Sequence, residues 1–370
     1  MRTIAVSAVN IRKGGTLTVL RECLAHLSGM TAEYRVVALV HDRRLCEFPG
    51  IEYVEMPQCT RSWFHRLWAE YVTMKDISRR IMPEGERVYL WFSLHDTTPR
   101  VEAEHQAVYC HTSFPFMKIR AVDFLMDPKI PVFALLTKFV YRINVMRNDW
   151  LVVQQDWFRR ALSGVTGYPA GRIVVAPPAF RTPEYDGVCA GEARALFVYP
   201  STPDCHKNFE LVCRAAAIAE RIVGAGAFRI VLTIDGTENR YSRRLRRDWG
   251  RVGSVEFAGL MPRERLFGLY SRATCLIFPS RAESWGLPIS EFLPSGKPML
   301  LADLPYAHET AAGAPCVAFF DTEDAEELAA RMIEVINEDY RAFGHVPPQN
   351  SARPCAADWD ALFNILLEEQ

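Results

Sequence analysis

No CxxC pair, no tandem repeat, no low-complexity tract and no apolar run of bilayer length occurs in the 370 residues. Each absence excludes something. The ten cysteines are scattered singly from Cys23 to Cys355, mostly inside apolar runs such as Thr274-Cys275-Leu276-Ile277, which predicts reduced thiols rather than a disulfide framework or a zinc site. The longest apolar run, Ile130 to Leu136, is soon followed by Lys138, well short of the roughly 20 residues of a spanning helix. From Met1-Arg2 the chain passes directly into an apolar strand pattern, with nothing resembling a signal peptide. A formal charge of -1 lacks the basic excess of a phosphate-tracking nucleic-acid binder. These readings predict a cytoplasmic protein without a nucleic-acid partner, touching a membrane at most peripherally.

What is present is material for two cores: 49% apolar and 24% charged residues over a length that suits two domains. Short β-rich runs at Ile4 to Val9, Val36 to Val40, Val88 to Phe92, Ala107 to Tyr109, Leu151 to Val153 and Ile173 to Ala176 alternate with segments of helical spacing. A stretch rich in proline, glycine and polar residues at 177 to 194 reads as a linker. The rhythm then restarts at Ala195 to Tyr199, Arg229 to Ile234, Val255 to Phe257, Cys275 to Phe278, Met299 to Ala302 and Cys316 to Phe319. Phe209, Val212, Cys213 and Ala216 form a helical stripe, as do Trp359, Leu362, Phe363 and Leu366 at the end. The expected architecture is α/β: a Rossmann-like domain at 1–180, a second at 181–345, and a C-terminal helix at 346–370 returning to the first, with ligands beyond the carboxyl ends of the strands in a cleft between the domains.

The most informative stretch is Phe278 to Gly296, F-P-S-R-A-E-S-W-G-L-P-I-S-E-F-L-P-S-G. Glu283 and Glu291 stand eight positions apart around Gly286-Leu287-Pro288. Pro288 suits the first turn of a helix, so the backbone N–H groups of Gly286 and Leu287 are expected to face an anion such as a phosphate. A lone glutamate at a helix start is an ordinary exposed residue; the pairing is what suggests carboxylates bracketing a polyhydroxylated ligand.

This E-x7-E block resembles that of the retaining GT-B glycosyltransferases of family 4. The likeness extends over Ala195 to Tyr199, His206-Lys207-Asn208, Val255 to Gly259, Phe278-Pro-Ser280 and Gly296-Lys-Pro298. It implies that Glu283 contacts the transferred sugar, that Glu291 takes the ribose hydroxyls and that Lys207 grips the donor diphosphate. Ser201, Gly259, Gly286 and Leu287 are then expected in the donor site. Where the family carries a Gly-Arg pair six residues before the lysine, Pro200-Ser201 stands here, and His206 and Arg281 are candidates to replace the lost cation. In the first half, Gly14-Gly15 after the first strand lets backbone approach the reacting groups, and His111, at the end of Ala107 to Tyr109, matches the family's histidine near the donor sugar or else satisfies a hydrogen bond of the core.

The resemblance further implies retention of configuration without metal or other cofactor. The one Asp-x-Asp match, Asp358-Trp359-Asp360, flanks the stripe of the last helix and reads as solvated acids, so no metal site is expected. Lys118, Arg120, Lys129, Lys138, Arg142 and Arg147, interleaved with Phe124, Phe133, Phe139 and Tyr141, form a basic aromatic stretch. Arg61 to Arg80, with Trp63 and Trp68, forms another. Either suits an anionic membrane surface, at the inner face of the cell membrane, or simply a helix with its aromatics inward. The reading that gathers these features is a transferase moving a hexose, with mannose or a deoxy-mannose such as rhamnose from a GDP donor as the guess, onto a lipid-linked glycan of an O-antigen or capsule. The alternatives are a sugar-nucleotide epimerase of the same fold and a non-catalytic sugar-nucleotide-binding protein.

Overall fold

The computed structural model describes residues 1–178 and 194–368, apart from the side chain of Val122. The linker expected at 177 to 194 therefore lies almost wholly outside the described residues. The chain divides into two units. Met1–Pro115, Leu135–Ala179 and Ser351–Gln370 form the first, and Phe116–Ala134 and Phe180–Asn350 the second.

The first unit is built on seven parallel strands: β1 (Thr3–Ala8), β2 (Arg35–Val40), β3 (Ile51–Glu55), β4 (Val88–Ser93), β5 (Ala103–Tyr109), β6 (Trp150–Val153) and β7 (Ile173–Val175). Their spatial order is β3-β2-β1-β4-β5-β6-β7. Each of β1 and β4 is buried along its whole length, as parallel strands covered on both faces must be, which is why they read as unbroken apolar runs. The second unit repeats the plan with β8 (Ala195–Tyr199), β9 (Phe228–Leu232), β10 (Val255–Phe257), β11 (Cys275–Phe278), β12 (Met299–Ala302) and β13 (Val317–Phe320), ordered β10-β9-β8-β11-β12-β13. In each sheet the order reverses beside the first strand, between β1 and β4 and between β8 and β11. Loops leaving the carboxyl ends of such a pair diverge and leave room for a ligand.

Phe116–Ala134, expected within 1–180, belongs instead to the second unit. A buried ion pair accounts for this: the Arg281 guanidinium donates to both carboxylate oxygens of Asp123, at 2.6 and 3.1 Å. The basic stretch from Phe116 to Arg147 is thus not one surface but is divided between the units.

At the C-terminus, helix Trp359–Leu367 buries Leu362, Phe363 and Leu366 against Val19, Leu20, Cys23, Leu24 and Leu27 of helix Gly15–Gly29. Phe363 stacks on His26 and meets Phe92 edge-on. Just before this helix, Val175 N–H donates to Pro354 O and Ala356 N–H to Val175 O, at 3.1 and 2.9 Å, so Cys355 forms a single parallel bridge to the edge strand β7. Truncating Phe363 to alanine is expected to destabilise the first unit by about 3–5 kcal/mol through lost burial and the cavity left behind. Urea unfolding checks this, and an unchanged midpoint contradicts it.

Candidate functional site

In the second unit the loops after β8 and β11 bring Lys207 and Glu283 together. Lys207 ends the short turn Cys205–Lys207, and its carbonyl accepts from the Tyr199 hydroxyl at 2.6 Å. The next residue, Asn208, adopts a left-handed conformation (φ 61°) and starts helix Phe209–Val223, its side-chain Nδ2 donating to Thr322 O at 2.9 Å. Backbone and neighbours thus fix the lysine's position before its side chain is considered. Lys207 Nζ lies 2.5 Å from Glu283 Oε1, both side chains being mostly shielded from water.

Glu283 is followed by Gly286 at φ 96°, a conformation that glycine adopts freely. A Cβ there would also press against Ile289 Cδ1 at 3.3 Å. Leu287 opens helix Leu287–Phe292, with Pro288 in the first turn as expected. The helix is only six residues long, so any anion at its start relies on the local N–H groups more than on a long macrodipole. Glu291 sits inside it, buried, with Oε1 accepting from Arg263 at 2.8 Å and Oε2 from the Tyr270 hydroxyl at 3.3 Å. Burial pushes its carboxyl above the ordinary range, with Arg263 and Tyr270 opposing. Gly259 (φ 76°) follows β10 and lies against Asp235, and Ser201 N–H, after β8, donates to Thr233 Oγ1 at 2.9 Å.

Gly14, Gly15 and His111 belong to the first unit. Gly14 (φ 74°) precedes helix Gly15–Gly29, and at neither glycine would an added Cβ meet another atom within 4 Å. His111 lies over Tyr109 with centroids 4.3 Å apart, and its backbone N–H donates to Asp96 Oδ1 at 2.6 Å. Burial holds its imidazole below the usual range, and Nε2 has no hydrogen-bond partner among the described residues.

Residues 191–345 match the family model for glycosyl transferases group 1. This stretch contains Lys207, Glu283 and Glu291. Residues 191–345 are a glycosyl transferases group 1 domain. Over 201 residues the chain is 24% identical to O-antigen chain mannosyltransferase B of Escherichia coli, covering 51% of this chain and 52% of that one. Over 176 residues it is 31% identical to D-inositol 3-phosphate glycosyltransferase of Acidothermus cellulolyticus, covering 43% and 39%. The chain thus spans about half or less of the length of these relatives. In fold it is similar to Anabaena Alr3699/HepE solved in complex with UDP, with a TM-score of 0.62 at 14% identity over 94% of this chain and 92% of that one. The two Rossmann-like sheets are those of the GT-B architecture.

Both candidates for the second cation lie in the matched stretch, and each is buried. Arg281 pairs with Asp123, and burial, with Lys207 and Arg281 nearby, pushes the His206 imidazole well below its usual range. Two residues the sequence did not single out matter more. Arg263 holds Glu291, and Asp123 holds the guanidinium two positions before Glu283. Burial raises the Asp123 carboxyl, but the Arg281 and Arg120 contacts outweigh it and leave it below the ordinary range.

In the first unit, Ser7 Oγ meets His95 Nε2 at 2.8 Å, and Arg66 Nε donates to Glu70 Oε1 at 2.8 Å. Thr97 joins His95 to Glu70. Arg66, which as a sequence reads as a surface cation, is in fact sequestered. Asp358 caps helix Trp359–Leu367 by accepting from Ala361 N–H at 2.8 Å, and Asp360 lies 3.7 Å from His26, which accounts for the Asp-x-Asp match.

Asp123→Ala would leave the Arg281 guanidinium buried without its partner, an expected loss of about 3–5 kcal/mol in denaturant unfolding; a loss below that range counts against a structural role. The buried histidines His95, His111 and His206 all have depressed folded-state values. A group of this kind stabilises the fold above its unfolded-state value, and the contribution is lost as pH falls. Melting temperature should therefore drop between about pH 6.5 and 5, and His206→Asn should flatten part of that drop. A melting curve indifferent to that interval speaks against the assignment.

Proposed function

We propose that the chain is a retaining, metal-independent glycosyltransferase that moves a hexose from a nucleotide diphosphate donor to a lipid-linked or polysaccharide acceptor. The observation that carries this reading is the Lys207–Glu283 pair within a group 1 glycosyl transferase domain. Without donor the two charges neutralise each other. An arriving diphosphate competes for the ammonium, drawing Lys207 to the phosphate and freeing Glu283 to accept from sugar hydroxyls. Glu291, braced by Arg263 and Tyr270, offers its carboxylate to the ribose.

In the reaction the bond from the anomeric carbon to the diphosphate oxygen breaks, and a bond from that carbon to the acceptor hydroxyl forms on the same face. The hydroxyl proton passes to the departing phosphate. Lys207 and the N–H groups of Gly286 and Leu287 stabilise the growing negative charge, so no cofactor beyond the donor is required. The role of His111 rests on the resemblance alone.

Mannose or a deoxy-mannose from a GDP donor is the preferred sugar, supported by the likeness to O-antigen chain mannosyltransferase B. Peripheral contact with the inner face of the cell membrane is supported by exposed Trp63, Phe64 and Trp68; no helix of the described residues is long and apolar enough to cross a bilayer. Assaying GDP-, UDP-, ADP- and dTDP-sugars by thermal shift should find one that raises the melting temperature. Glu283→Gln and Lys207→Ala should each lower kcat by about 10²- to 10³-fold. If none of the four donor classes shifts the melting curve, the reading is wrong.

A further inference from the structure

Helix Arg240–Trp249 carries five arginines and one aspartate. Its packing face is Tyr241, Ser242 and Leu245, all buried. Arg240, Arg243, Arg244 and Arg247 follow one another at i, i+3, i+4 and i+7, so they share a single stripe on the solvent side. Arg246 points elsewhere and lies over the Phe257 ring at 4.9 Å. The four stripe residues line a recess of about 350 Å³ together with Tyr241 and with Leu125 and Met126, which come from helix Ala121–Met126 of the same unit.

Nearby acids do little to neutralise this stripe. Asp248 is shared by Arg244 at 3.5 Å and Arg247 at 2.7 Å. Glu210 is taken up by the Tyr241 hydroxyl and by Arg120 at 3.3 Å, and Asp123 by Arg281. Among the described residues Arg240 and Arg243 have no ion-pair partner. Both also sit in the first turn of a ten-residue helix, the end that is itself positive. An ordinary solvated helix face mixes signs at these spacings, because like charges there repel. This one concentrates a single sign around a concave surface.

We infer that the recess is a binding site for a phosphate-bearing ligand, formed by a set of residues separate from Lys207, Glu283 and Glu291. Planar guanidinium forks match phosphate oxygens two at a time. Leu125, which also lines the recess and is 73% exposed, accommodates an apolar or ring portion beside the phosphate. The phosphate belongs either to a free phosphoester or to the headgroup of an anionic lipid.

The test uses the full chain, the stripe variant carrying Arg240→Glu and Arg243→Glu, and a charge-matched control carrying Arg272→Glu and Arg341→Glu on exposed positions outside the stripe. Inorganic pyrophosphate is titrated calorimetrically. In parallel, co-sedimentation is measured at low and high salt with vesicles of phosphatidylglycerol and phosphatidylcholine and with phosphatidylcholine alone. Wild type and control should bind at least one anionic probe, weakening with salt, and the stripe variant should lose at least tenfold in affinity with an unchanged melting temperature and unchanged nucleotide-sugar binding. Pyrophosphate binding identifies a free phosphoester as the source, and binding to the anionic vesicles alone identifies a headgroup. The inference is overturned if wild type takes up neither probe, or if the stripe variant and the control bind equally.

Discussion

Lys207 and Glu283 are 76 positions apart in the chain and 2.5 Å apart in space, and strand order is what brings them together. β8 and β11 are neighbours in the sheet because the chain turns back at this point. The loops that leave their carboxyl ends therefore emerge side by side. Everything proposed about the donor depends on that adjacency. Were β11 placed one strand further out, the lysine and the carboxylate would be separated by a strand spacing and would act on different parts of a ligand.

The second constraint is electrostatic. Arg281 lies between Ser280 and the glutamate and is buried, as is Asp123, which holds it bidentately. Its own N–H donates to His206 O at 2.8 Å, so a single residue ties the Glu283 loop to the turn that presents Lys207. In this role the charge of the guanidinium is largely compensated by Asp123. On the proposed reading, Pro200-Ser201 in place of a Gly-Arg pair would leave Lys207 as the main cation facing a donor.

Much of the framework was legible because buried parallel strands leave a plain trace: Ala195 to Tyr199 and Cys275 to Phe278 coincide with the strands observed. β3 was missed since Ile51–Glu55 is a half-buried edge strand with charged residues in it, which breaks the apolar run. In the site, the spacing of Glu283 and Glu291 around a glycine and a proline is local and therefore readable. The partners of those residues are not. Arg263 is 28 positions from Glu291 and Asp123 is 158 from Arg281; only tertiary packing decides that they meet. The same holds for Ser7, Glu70 and His95, which the sequence does not single out and which only packing brings together.

The pairing of Val175 with the residues around Cys355 has a consequence for solubility. A sheet whose last strand is left open offers a row of unsatisfied N–H and C=O groups to any other extended chain. Here the returning C-terminal segment occupies part of that row. Removing the residues beyond 350 would therefore do more than strip a helix from the core, because it would uncover an adhesive border along β7 and invite self-association.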